Sequence, residues 1–181
     1  MVSARNVTCV AIIPAFLSIG MQWLEGQLTR GQDIQPVFLS SFIDFPSVVQ
    51  PFPYTDVTLD GWAHIVLQPY LASILVIVAY LSCSACLLTC LVALFRWRYM
   101  GLAGLLGLGG GLLWIFEIDT IPSSVTTQLC SWRGYVGQQV SCAGPAVTVG
   151  PGPYFMVLAG AILLAGVVLA RRGILDLPAP M

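Results

Sequence analysis

Lysine is absent from this 181-residue chain, and charge of either sign is scarce: 8% of residues are charged against 57% hydrophobic. A soluble domain carries about 25% charged residues. A surface this poor in charge does not stay dispersed in water, so an ordinary soluble domain is excluded and lipid is the expected partner. The formal net charge of −1 leaves no broad basic surface for nucleic acid. Histidine occurs once, at His64, which excludes a bis-histidine haem held within the chain. Nucleophile elbow, phosphate loop, dinucleotide fingerprint, HExxH and CxxCH are all missing, so no catalytic chemistry and no cofactor is expected. The length suits a single domain.

What is present is apolar sequence in long runs. A bilayer core needs roughly 20 mostly apolar residues per helix. Four segments qualify: residues 7–24, 66–95, 100–118 and 153–170. Trp23, Trp62, Tyr70, Trp97, Tyr99, Trp114 and Tyr154 stand near their ends, where amphipathic rings prefer the headgroup level. Pro14 and Pro69 mark positions for kinks, since neighbouring helices can satisfy a freed carbonyl. The expected fold is an all-α membrane protein, a four-transmembrane-helix bundle with two extracytoplasmic loops.

Arginine placement orients the bundle. Arg96 and Arg98 occupy the short turn 96–99, Arg5 precedes the first segment, and Arg171 and Arg172 open the tail 171–181. The opposite loops carry Arg30 and Arg133 with Asp33, Asp44, Asp56, Asp60 and Asp119. The expected location is the cell membrane, with both termini cytoplasmic. A rival reading makes Arg5, the first apolar run and Ser18-Ile19-Gly20 a cleaved signal peptide. The sequon Asn6-Val7-Thr8 falls on the wrong side for glycosylation.

Loop 25–65 mixes Pro36, Pro46, Pro51 and Pro53 with Val37, Phe38, Phe42, Phe45 and Tyr54, too apolar for a disordered linker. The β-branched alternation of residues 55–59 predicts a small β element there. Loop 119–152 holds Cys130 and Cys142. On an oxidising side these two thiols pair, and closing a loop of that length contributes about 3 kcal/mol. Gly150-Pro151-Gly152-Pro153 resists helix and strand alike and reads as the hinge into the last segment.

Cys83, Cys86 and Cys90 share one helical face at i, i+3 and i+7. Three thiolates suit a soft metal, but no histidine or second cysteine cluster completes a ligand set, and cysteine also packs well as a small apolar residue. In the third segment Gly104, Gly107 and Gly111 offer the small-residue spacing that lets helix backbones approach, and Ala159 and Gly166 offer a matching face in the fourth. Those faces serve packing within the bundle or docking onto another subunit. His64 and Glu117, with Glu25, Asp60 and Asp119, sit at the expected outer boundary. Glu117, between Phe116 and Ile118, is the most embedded, and embedded ionisable groups are functional candidates.

The layout of a long first outer loop, a basic inner turn and a cysteine-bearing second outer loop resembles tetraspan proteins such as the claudin-like families. The likeness is one of topology. The tryptophan-glycine-leucine-tryptophan and paired-cysteine signature of claudins is not in the first outer loop, and the tetraspanin Cys-Cys-Gly is missing, so no activity or site is implied. The functional expectation is a non-catalytic accessory or assembly subunit that packs against other membrane protein subunits. The alternatives are a redox or quinone-linked subunit of a respiratory-type complex and a small transporter of an uncharged solute.

Overall fold

The computed structural model describes residues 2–30, 33–43, 70, 73–121 and 147–176. Among them are four main helices: α1 (Ala4–Gly20), α2 (Ile74–Ala93), α3 (Met100–Asp119) and α4 (Gly152–Arg171). A single 3₁₀ turn, Trp97–Tyr99, joins α2 to α3. Five short strands complete the set: β1 (Val2–Ser3), β2 (Gln22–Arg30), β3 (Asp33–Ser41), β4 (Val147–Val149) and β5 (Leu175–Asp176).

Among the described residues, three helices are long and apolar enough to cross a membrane, namely α2, α3 (counted with its leading 3₁₀ turn) and α4. The count corrects the expectation of four. α1 has 17 residues, about 25 Å of rise against a hydrocarbon core of about 30 Å. It starts where Ser3 caps it, the hydroxyl accepting from the Asn6 N–H at 3.2 Å. It stops at Gly20 because the chain turns into β2. Trp23 and Leu24, assigned from hydropathy to the end of the first span, are strand residues inside the core. Pro14 lies within α1. The second helix also starts later than expected, at Ile74, where the Ser73 hydroxyl accepts from the Val76 N–H at 3.2 Å.

The β structure lies elsewhere than expected. β2 and β3 form an antiparallel hairpin, and β4, just before α4, pairs with Leu24–Gly26 of β2 to give the order β3-β2-β4. The hairpin register shifts between Gly26 and Gln27, beside the Gln27↔Pro36 pair. Proline has no N–H for the ladder and is tolerated on an edge strand, which β3 is. Residues 55–59, the expected strand, lie outside the described residues.

The helices run alternately up and down. α3 packs between α2 and α4, α4 packs between α3 and α1, and α1 meets α2 more sparingly. At one end β1 pairs in parallel with β5, tying the two termini together. At the other end the three-stranded sheet lies over the bundle, with the Trp23 carbonyl accepting from the Gly150 N–H at 3.2 Å.

Size is sorted in the opposite sense to a water-soluble core. The buried positions of the helices are mostly Ala, Gly, Cys, Ser and Thr: Ala11 and Ala15 in α1, Ala79, Cys83, Cys86 and Cys90 in α2, Gly104, Gly107 and Gly110 in α3, Ala159, Gly160 and Gly166 in α4. Most of the large apolar side chains on the helices point out: Ile13, Phe16, Leu81, Leu88, Leu105, Phe116, Tyr154 and Leu158 are all exposed. Small residues inside let backbones close on each other, which is how helices associate when the surrounding solvent is as apolar as leucine.

Candidate functional site

Two arrangements dominate the interior, an aromatic joint at the sheet end and a glycine seam along the bundle. The joint begins with Trp23 of β2, fully buried, whose indole N–H donates to the Ser18 carbonyl at 2.7 Å. That carbonyl belongs to the last turn of α1, where helical partners run out, so the indole satisfies one of the orphaned acceptors. The Trp114 ring of α3 meets Trp23 edge-on, with centroids 5.1 Å apart at 84°. Phe42 packs on Trp23 with centroids 4.8 Å apart, the rings tilted by 53°, and reaches Tyr80 of α2 at 4.7 Å. One cluster thus ties together the hairpin, α1, α2 and α3. Trp23 and Trp114 had been expected at the headgroup level; their complete burial makes them core residues instead.

The hinge before α4 is built around this joint. A Cβ on Gly152 would overlap the Trp23 ring, and one on Gly150 would overlap the Gln22 carbonyl. Only glycine lets the chain pass so close. Pro153 follows at the first helical turn, where a missing N–H costs nothing.

The glycine seam lies between α3 and α4. A Cβ on Gly104 would lie 3.1 Å from the Gly160 carbonyl, one on Gly107 3.3 Å from the Met156 carbonyl, and one on Gly111 3.0 Å from the Pro153 carbonyl. The closest approach is at Gly160, where an added Cβ would overlap the Leu108 backbone nitrogen. Sequence reasoning named Ala159 and missed Gly160, although Gly160 is also a small residue one position along. Ala159 is buried, and Gly166 serves a different contact, a notch for Val7 of α1 with Met100 beside it.

The three α2 cysteines are fully buried, and two of them lie against α3. Cys83 Sγ would lie 2.8 Å from a Cβ on Gly110, and Cys86 Sγ the same distance from one on Gly107. Cys86 and Cys90 sulfurs are 3.8 Å apart. Spacing of i, i+3 and i+7 spreads three residues over about 10 Å of helix, and no three His, Cys, Asp or Glu among the described residues gather into a metal-holding group. Cys83 and Cys86 fill the notches opposite Gly110 and Gly107.

Glu117 is half-buried in the last turn of α3, beside exposed Phe116 and buried Ile118. Its carbonyl accepts from the Thr120 hydroxyl at 2.9 Å. His64, the other candidate at that boundary, lies outside the described residues, as do Cys130, Cys142 and Asp60. The buried polar side chains among the described residues are Thr8 and Ser18. Each hydroxyl donates to its own helix, Thr8 to the Ala4 carbonyl at 3.1 Å and Ser18 to the Ala15 carbonyl at 2.7 Å.

Compared with known proteins, the chain matches no family model, no curated protein and no solved structure.

Proposed function

We propose that this chain is a membrane-embedded, non-catalytic accessory or assembly subunit of a larger membrane complex, with the shorter α1 inserted beside the three longer helices and the arginine-bearing end, where both termini lie, in the cytoplasm. The observation that carries the reading is the outward sorting of large apolar side chains over an interior of Gly, Ala and Cys. In water, exposed leucines on every helix would be a liability; in lipid they are the normal exterior.

The interior supports a structural role. The α3–α4 seam is closed by backbone on backbone, and the buried hydroxyls are used within their own helices. Such a centre suits mutual packing better than passage of a polar solute. The exterior supports lateral association. Gly109 of α3 is exposed with open space where its side chain would be, and Ala161 and Ala165, four residues apart on α4, are exposed too. Small residues on an outer helix face permit close approach of another helix. Orientation follows from the end at which Arg5, Arg96, Arg98, Arg171 and Arg172 gather, by the preference of arginine for the cytoplasmic side.

The test is purification from native membranes in mild detergent, with identification of co-purifying chains. A stoichiometric membrane partner is the expected result. A chain that runs alone as a monomer sinks the subunit reading, and a stoichiometric haem, metal or quinone transfers the assignment to the redox-linked alternative.

A further inference from the structure

Charge is what this sequence uses least, yet the fold gathers most of its cations in one place. Arg5 stands in the first turn of α1, Arg96 and Arg98 flank Trp97 between α2 and α3, and Arg171 and Arg172 end α4. All five are exposed. Internal contacts put them at one level. The Thr8 hydroxyl lies 3.6 Å from the Met100 sulfur, and Val7 fills the notch at Gly166 beside Met100. From those contacts Arg5 is about 4.5 Å of helix rise away, Arg98 about 3–4 Å and Arg171 about 7.5 Å. The Val2↔Leu175 and Ser3↔Asp176 pairs hold the tail at the same end. Asp176 is the one acid that the described residues bring there; Glu117 and Asp119 lie at the far end of α3.

The surroundings of these arginines choose among anions. Exposed apolar side chains lie within a turn or so of them on the bundle side: Val92 on α2 and Phe95 just after it, Leu102 on α3, Val168 and Leu169 on α4. Tyr99, also exposed, and half-buried Trp97 adjoin Arg98 in the 3₁₀ turn. A free phosphate uses only the cations. A phospholipid uses both features at once, its phosphate on the guanidinium forks and its acyl chains along the adjoining leucine, valine and phenylalanine.

From this juxtaposition we infer that the arginine end is a binding surface for anionic phospholipids, read by phosphate and acyl chain together. The inference rests on the membrane reading above and adds a ligand class to it. Arg96 and Arg98 form one half of the surface, Arg171 and Arg172 the other, and Arg5 adjoins the second through the α1–α4 contact.

The test uses the full chain in mild detergent, titrated with phosphatidylglycerol or phosphatidylcholine of identical acyl chains and followed by native mass spectrometry. Phosphatidylglycerol is expected to be retained at least tenfold better. The paired variants R96Q/R98Q and R171Q/R172Q are each expected to lower that retention by about tenfold or more, and the corresponding R→K pairs, which keep the charge but lose the fork, to lower it less. The pairs are tested separately, and folding is checked by thermal unfolding, so a variant that does not fold is replaced by its single substitutions. Equal retention of the two lipids overturns the inference, as does indifference to the arginine variants. Millimolar inorganic phosphate that strips the lipid overturns it in favour of a free-anion site. Recovery of the chain dispersed in buffer without detergent overturns the membrane reading itself, which separates the two failures.

Discussion

The indole N–H of Trp114, near the end of α3, donates to the carbonyl oxygen of Trp23, 3.3 Å away and 91 residues earlier in the chain. That carbonyl also accepts from the Gly150 N–H at 3.2 Å, so one backbone oxygen joins the hairpin, the third helix and the hinge of the fourth. Trp114→Phe removes one donor and leaves the acceptor satisfied. The expected loss is about 1–2 kcal/mol. Trp114→Ala also empties the ring's volume from a fully buried site, with an expected loss of about 3–5 kcal/mol. Thermal unfolding in detergent measures both, and equal effects from the two substitutions would contradict the hydrogen-bonded joint.

Glycines of α3 and α4 divide by environment, and their substitutions divide accordingly. Gly160→Ala places a methyl against Leu108 backbone, which cannot yield as a flexible side chain does. It is expected to cost about 1–3 kcal/mol, and Gly160→Leu more. Gly109→Ala meets nothing within 4 Å and removes a poor helix former, so it is expected to be neutral or to gain up to about 1 kcal/mol. A destabilised Gly109→Ala in the isolated chain would place a contact where the fold has none. Loss of a partner in that variant with unchanged stability would mark the docking face.

α1 is held by contacts that cleavage would abolish. Val7 sits at Gly166, Thr8 at Met100, and the Ser18 carbonyl holds the Trp23 indole. The mature protein is therefore expected to retain this helix, and intact mass with N-terminal sequencing checks it. A mature start just beyond Gly20 would identify the segment as a leader and leave the aromatic joint without its α1 partner.

Thiol reactivity follows burial. Cys9 is exposed, whereas Cys83, Cys86 and Cys90 are buried. In detergent, a membrane-permeant maleimide is expected to modify Cys9 readily and the α2 cysteines only as the bundle unfolds, as read by mass. Replacement of Cys83 or Cys86 by alanine is expected to cost about 1 kcal/mol, the size of one small cavity. Cys86→Leu forces bulk toward Gly107 and is expected to cost more. Rapid modification of Cys86 in the folded protein would contradict the packing role.

Much of the helical layout was legible beforehand. α2, α3 and α4 lie within or close to segments recognised from apolar runs, because a long uncharged run leaves few other ways to satisfy the backbone. The start of the second helix was overrun, since apolar composition continues past the Ser73 cap. The end of the first was missed for a related reason. Hydropathy cannot tell a tryptophan facing headgroups from one inserted between helices, and Trp23 is the second kind. The glycine face was visible as spacing; Gly160 was not singled out, because which of two adjacent small residues faces the neighbour depends on how the helix is rotated.

The amino-acid sequence by itself determined the position of the longest helices, their apolar character and the scarcity and placement of charge. Those properties follow from composition along the chain, and no partner is needed to express them. Tertiary structure alone decided that Trp114 bonds to Trp23 and that Gly160 is the point of closest approach. Each of these depends on the rotation of one helix against another. That rotation is set by the fit of many small surfaces at once, which no local run of residues encodes.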